Sequence, residues 1–187
     1  MSRIEELAEH YAKHIATPWQ RTVAGAQRVI MVVYDKELER TLRARKLVFE
    51  NPTRQAGHDW FEIDLSDAFS RWMADDEYRN AYFESPEDLQ IKLDAEFAEH
   101  LADRLRETLT KPEVHDQSVV AVFGLGSLFG FTRVSEVLKL VEGDIRGRLL
   151  LFFPGHIEGN NYRLLDARDG WNYLAVPISQ HGEGGWV

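Results

Sequence analysis

Cysteine is absent from the 187 residues. That excludes disulfides, thiolate metal sites and a cysteine nucleophile. Long apolar runs are missing as well. Stretches such as "VIMVVY" and "LLLFF" fall far short of the roughly 20 residues that a membrane-spanning helix needs. The opening "MSRIEELAEHYAKHI" reads as a charged amphipathic helix rather than a cleavable signal. A soluble cytoplasmic protein is therefore expected, with no membrane partner. Internal repeats, low-complexity tracts and long linkers are also lacking.

What is present suits one folded unit over 1–187, with a helix at 1–17 packed on it. Hydrophobic residues make up 44% of the chain, enough to build a core. The net charge of −9 is unevenly placed. Residues 62–99 hold 3 basic and 12 acidic groups, a balance of −9, while the flanking segments nearly cancel. Such a block is either a solvated helical face or a surface for a basic partner, and it repels phosphate backbones. A short basic stretch, Lys36, Arg40, Arg43, Arg45 and Lys46, lacks interleaved aromatics and contains Glu37 and Glu39. Direct DNA binding is therefore not expected.

Ile4, Leu7, Tyr11 and Ile15 form one stripe of the first helix, with Ser2 and Glu5 placed for a capping box. "RVIMVVYD" (28–35) reads as a strand buried on both faces, followed by a helix at 36–50 that "NP" at 51–52 should end. Asp35 is placed to cap that helix. Further strands are expected at 58–65, 118–124, 147–155 and 171–179, with helices at 66–83, 85–109 and 133–142. Ser85 and Pro86 mark the start of the helix at 85–109. Leu89, Leu93, Phe97, Leu101, Leu105 and Leu109 recur at every fourth position in it. At about 3.6 residues per turn that stripe drifts by roughly 40° per step, so its two ends should face different surroundings, one of them another element or a partner. The alternation of apolar strands and helices predicts an α/β fold: a mainly parallel sheet of about five strands with helices on both faces. A P-loop-like sheet that has lost its phosphate loop fits the same alternation, since "DKELERTL" without glycine follows the first strand.

"AVFGLGSLFGFT" (121–132) has the grammar of a phosphate-binding turn but fails each test. A dinucleotide fingerprint needs glycine at 129, where Phe129 stands. A P-loop needs a lysine, and none lies between Lys111 and Lys139. Leu125 and Phe129 occupy the glycine positions that would make Ser127 a nucleophile elbow. The stretch reads as a strand-to-helix turn capped by Thr132, whose tip, Phe129 and Phe131, is either core or a partner contact. Asp35 and Asp64 sit at strand ends without the acidic partners that phosphotransfer or nuclease chemistry requires. His10 and His14 share a helix face, but neither a third histidine nor a glutamate is placed to complete a metal site. No catalytic residue, cofactor site or metal ligand is assigned.

The C-terminal segment is chemically the richest. Asn160, Asn161, Tyr162, Arg163 and Asp166 are followed closely by Arg168, Asp169 and Trp171. Amides, guanidinium forks and aromatics are interface chemistry, although Arg163, Asp166, Arg168 and Asp169 could equally pair with one another and organise a loop.

"LLLFFPG" (149–155), followed by Glu158 and then "NNYRLLDARDGWNYLAVPI" (160–178), resembles the C-terminal signature of BrxB-type proteins of bacterial BREX (bacteriophage exclusion) systems. "QRVIMVVYD" (27–35) and "LFGFTRVSEVL" (128–138) are similar to that family too, so the resemblance is expected over nearly the whole chain. It implies a small cytoplasmic accessory subunit of an anti-phage island that also encodes a large ATPase, an adenine-specific DNA methyltransferase and an alkaline-phosphatase-like protein. It brings no catalytic motif to transfer. The expectation is a non-enzymatic BREX component that binds other BREX proteins, the phosphatase-like subunit first and the ATPase second. The alternative is a nucleotide-binding or metal-dependent enzyme or regulator that uses the carboxyl edge of the sheet.

Overall fold

The computed structural model describes residues 1–180. The helices are α1 (Arg3–Ala16), α2 (Glu39–Ala44), α3 (Leu47–Gln55), α4 (Ala68–Ala74), α5 (Arg79–Glu84), α6 (Pro86–Lys92), α7 (Ala98–Leu109) and α8 (Val134–Val141). The strands are β1 (Val29–Tyr34), β2 (Asp59–Asp64), β3 (Ser118–Phe123), β4 (Arg148–Glu158), β5 (Asn161–Leu164), β6 (Trp171–Asn172) and β7 (Val176–Ile178).

The sheet is mixed and seven-stranded, with a path β2-β3-β4-β1-β7. Neighbours along that path run parallel. β4 then outruns its parallel partners, and Gly155–Glu158 pairs antiparallel with β5, which pairs antiparallel with β6. The expected count of about five strands is corrected accordingly. "NNYR" makes a hairpin strand, and the single strand expected at 171–179 is split into β6 and β7.

β1 shows why both sheet faces are covered. All six of its residues are buried. Val29, Met31 and Val33 point into one core with α7 and α8, while Ile30, Val32 and Tyr34 point into a second core with α1 and α3. Side chains alternate across a strand, so a strand covered on both faces must be apolar at every position. β2 lies at the edge and instead alternates, with Asp59 and Asp64 exposed; charge there discourages pairing with another chain.

α1 carries the expected capping box: Glu5 N–H donates to Ser2 Oγ (3.3 Å) and Ser2 N–H to Glu5 Oε2 (2.8 Å). Its stripe is buried, and Tyr11 Oη lies 2.7 Å from Thr53 Oγ1. Thr53 in turn donates to the Phe49 carbonyl at 2.8 Å, so its oxygen is left to accept from Tyr11. Tyr11→Phe is expected to cost about 1 kcal/mol, read as a lowered urea midpoint; an unchanged midpoint would remove this bond from the account.

Three local expectations are corrected. The helix expected at 36–50 breaks into a short 3-10 turn, α2 and α3, and α3 runs past Pro52 to Gln55. Pro52 falls within that short helix and costs it a single hydrogen-bond donor. Asp35 makes no side-chain capping bond; it pairs with Arg3 at 2.8 Å. Arg133, not Thr132, occupies the cap of α8. Ser85 stands at the cap of α6 with Pro86 in the first turn, but its side chain makes no capping bond.

The leucine stripe does not part company with the core. Leu93, Phe97, Leu101, Leu105 and Leu109 all enter the same cluster, and Leu89 packs against it. A π-helical turn at Leu93–Phe97 explains this. Its bonds reach one residue further than those of an α-helix, so a step of four residues under-rotates there and takes back the drift.

Candidate functional site

β3 ends at Phe123, and Gly124 turns the chain at φ +84° into one 3-10 turn, Leu125–Leu128. A Cβ on Gly124 would lie 2.5 Å from the Ser66 backbone nitrogen, so the β2 and β3 turns pack together only because no side chain is there. Leu125 and Leu128 are buried, and the tip divides. Phe131 stacks on Phe69 (4.1 Å, 7°) and meets Phe97 edge-on (6.2 Å). Phe129 faces outward and is 47% exposed.

This tip forms one wall of a groove of ≈ 740 Å³. α6 and the π turn supply the opposite wall through Gln90, Leu93 and Asp94, with Gln90 Nε2 donating to Asp94 Oδ1 at 2.8 Å. The segment after β5 closes the third side with Ala167, Arg168, Asp169 and Trp171. Three stretches far apart in sequence therefore share one concave surface. It mixes an exposed aromatic, cations (Arg133, Arg168) and carboxylates (Asp94, Glu136, Asp169) over an apolar floor that includes Val134 and Leu164.

The other candidate residues are dispersed. Tyr162 is core: it is T-shaped to Phe153 (5.6 Å) and stacked on Trp171 (5.2 Å). Trp171 is buried too, but it also contributes to the groove. Asn160, Asn161 and Arg163 belong to the β4–β5 hairpin, away from the groove. Asp166 reaches back to pair with Lys36. Among the described residues, no ion pair joins Arg163, Asp166, Arg168 and Asp169 to one another. Gln90, Asp94 and Arg133 carry no sequence signal of a site: the four-residue leucine spacing points to the helix of Gln90 and Asp94 but not to its polar face, and Arg133 stands at the cap of α8.

The carboxyl edge of the sheet carries a separate depression of ≈ 270 Å³, lined by Lys36, Glu39, Arg43, Gly124, Gly126 and Ser127, among others. Its charges are tied together. Arg43 donates to Glu39 (2.6 Å), Asp64 (2.9 Å) and Ser66 (2.8 Å), and Tyr34 donates to Glu39. Burial raises the Asp64 carboxyl, but bonds from Arg43 and Ser66 outweigh it and hold the group at about 2. A depressed carboxylate gives stability that is present above its unfolded value of about 4 and is lost as pH falls through the folded value. Asp64 is half exposed, so solvent screening reduces the effect to about 1 kcal/mol or less. Asp64→Asn is therefore expected to flatten the fall in stability between about pH 4 and pH 2. Urea melts across that window that ran parallel for the two proteins would contradict it.

His10 donates from Nδ1 to the Ser179 carbonyl (2.9 Å), and no group of metal-ligating side chains converges among the described residues. No helix among them is long and apolar enough to cross a membrane.

No curated protein matches the chain, and no solved structure does either. A family model described as "BREX protein BrxB" matches residues 62–178. That span runs from β2 through β7, more than half of the chain but short of the near-complete coverage expected. The chain belongs to the BREX protein BrxB family.

Proposed function

We propose that this BREX component is a non-catalytic subunit that binds other BREX proteins and helps to assemble or regulate their complex. The alkaline-phosphatase-like protein is the first expected partner and the ATPase the second. The observation that carries this reading is the groove, where the 129–134 turn, the 164–171 segment and the 90–98 helical stretch converge around exposed Phe129. Aromatic anchors with flanking arginines and a polar rim suit a protein interface. The neighbouring helices fit a basic partner surface. α5 and α6 expose Phe83 and Ile91, and Glu84, Glu87 and Asp88 have no ion pair among the described residues.

The test is co-purification of the full chain with each BREX subunit in turn. Binding to none would sink the proposal. Phe129→Asp is expected to weaken the complex at least about tenfold, in keeping with loss of an interface anchor, while the melting temperature stays within a few degrees. Unchanged affinity in both Phe129→Asp and Arg168→Glu would move the interface elsewhere. The alternative at the carboxyl edge gains less support, because Asp35, Glu39, Asp64 and Asp166 are each already held by a cation.

A further inference from the structure

At the opposite, amino-terminal edge of the sheet, α1 and the chain after it border a pocket of ≈ 520 Å³. Arg148, the first residue of β4, stands in its wall and is only 8% exposed. Its guanidinium donates to the Gly147 carbonyl (3.0 Å) and lies 4.7 Å over the Trp19 ring. The other face of that ring is stacked on His58 at 3.7 Å. Among the described residues no carboxylate meets Arg148, and burial together with the nearby Arg28 pushes its pKa down. The indole face offsets part of the cost of burying this cation but brings no countercharge. The Trp19 Nε1–H is itself buried without an acceptor. His10, Lys13 and His14 also line the pocket, and no Asp or Glu is among its lining residues, in a chain of net charge −9.

We infer that this pocket binds a phosphate group carried by a small molecule, with Arg148 and the Trp19 Nε1–H as its buried donors and Lys13 at its rim. A buried guanidinium without a carboxylate favours an oxyanion and offers the fork that matches it, while Lys13, which pairs with Glu9 at 3.0 Å, adds positive charge at the rim. The volume suits a ligand larger than the bare ion. The site is separate from the groove, so its failure would leave the docking proposal standing.

The experiment is a thermal-shift titration of the full chain at constant ionic strength with inorganic phosphate, AMP, adenosine and chloride. Phosphate and AMP are expected to raise the melting temperature saturably, and adenosine and chloride are not. Tighter AMP binding identifies a phosphate ester as the ligand; equal binding identifies the free ion. Arg148→Gln is expected to weaken the phosphate response at least about tenfold, and Lys13→Gln about two- to threefold. A wild-type chain with no saturable phosphate response overturns the inference. So does a folded Arg148→Gln chain that responds like the wild type. If that variant does not fold, Trp19→Phe keeps a ring in place and removes only the donor; an unchanged response to phosphate then overturns the site.

Discussion

Phe97→Ala is expected to lose about 3–5 kcal/mol of stability, the usual cost of removing a fully buried phenylalanine. Phe97 has no exposed surface and sits in the π turn. Its ring meets Trp72 (4.9 Å), Phe69 (5.9 Å) and Phe131 (6.2 Å). These neighbours come from α4 and the loop tip, two elements separately anchored in the fold, so no single one can move to fill the void. The cavity term should therefore add to the lost transfer energy rather than relax away. Urea unfolding followed by tryptophan fluorescence measures the loss. A cost below about 1 kcal/mol would mean that the helix is not anchored there. Because Phe131 leans on Phe97, the groove should loosen as well, and partner affinity should fall further than global unfolding alone explains.

Gly124→Ala is expected to cost about 3 kcal/mol. Two effects combine. A left-handed residue with a side chain costs roughly 1–2 kcal/mol, and crowding a packed site costs about 1–3 kcal/mol more. The added Cβ would lie 2.5 Å from the Ser66 backbone nitrogen and 2.6 Å from Asp64 Oδ1, the oxygen that already accepts from Ser66. Gly130 supplies the control. Its φ is +79°, but a Cβ there meets nothing within 4 Å, so Gly130→Ala should cost only the backbone term. Equal losses in the two variants would show that the β2–β3 turn contact contributes nothing.

Much of the fold was legible in the sequence. Strands buried on both faces announce themselves as unbroken apolar runs, as β1 and β3 do. The capping box of α1 needed only Ser2 and Glu5. What failed was local competition that pattern cannot rank. The π turn reversed a drift computed for an ideal helix, Pro52 was tolerated because its helix is short, and Arg3 drew Asp35 away from its capping role. Of the candidate site, the loop tip and the 164–171 segment were visible as chemistry. That they meet Gln90 and Asp94 depends on tertiary packing, which spacing along the chain does not encode. Tyr162 shows the limit most clearly: in sequence it stands among interface residues, yet its ring is wholly core.

The place of β1 has a consequence for synthesis of the chain. "VIMVVY" leaves the ribosome well before its partners, which are β4, beginning at Arg148, and β7, ending at Ile178. Until those segments emerge, an uncharged, strongly β-prone hexapeptide has no native neighbour on either edge, the situation that invites aggregation. Such distant pairing also slows folding. β1, interior to the finished sheet between β4 and β7, is thus the nascent chain's longest-lived liability, and α1, which precedes it in the chain and packs over one of its faces, is its earlier native cover.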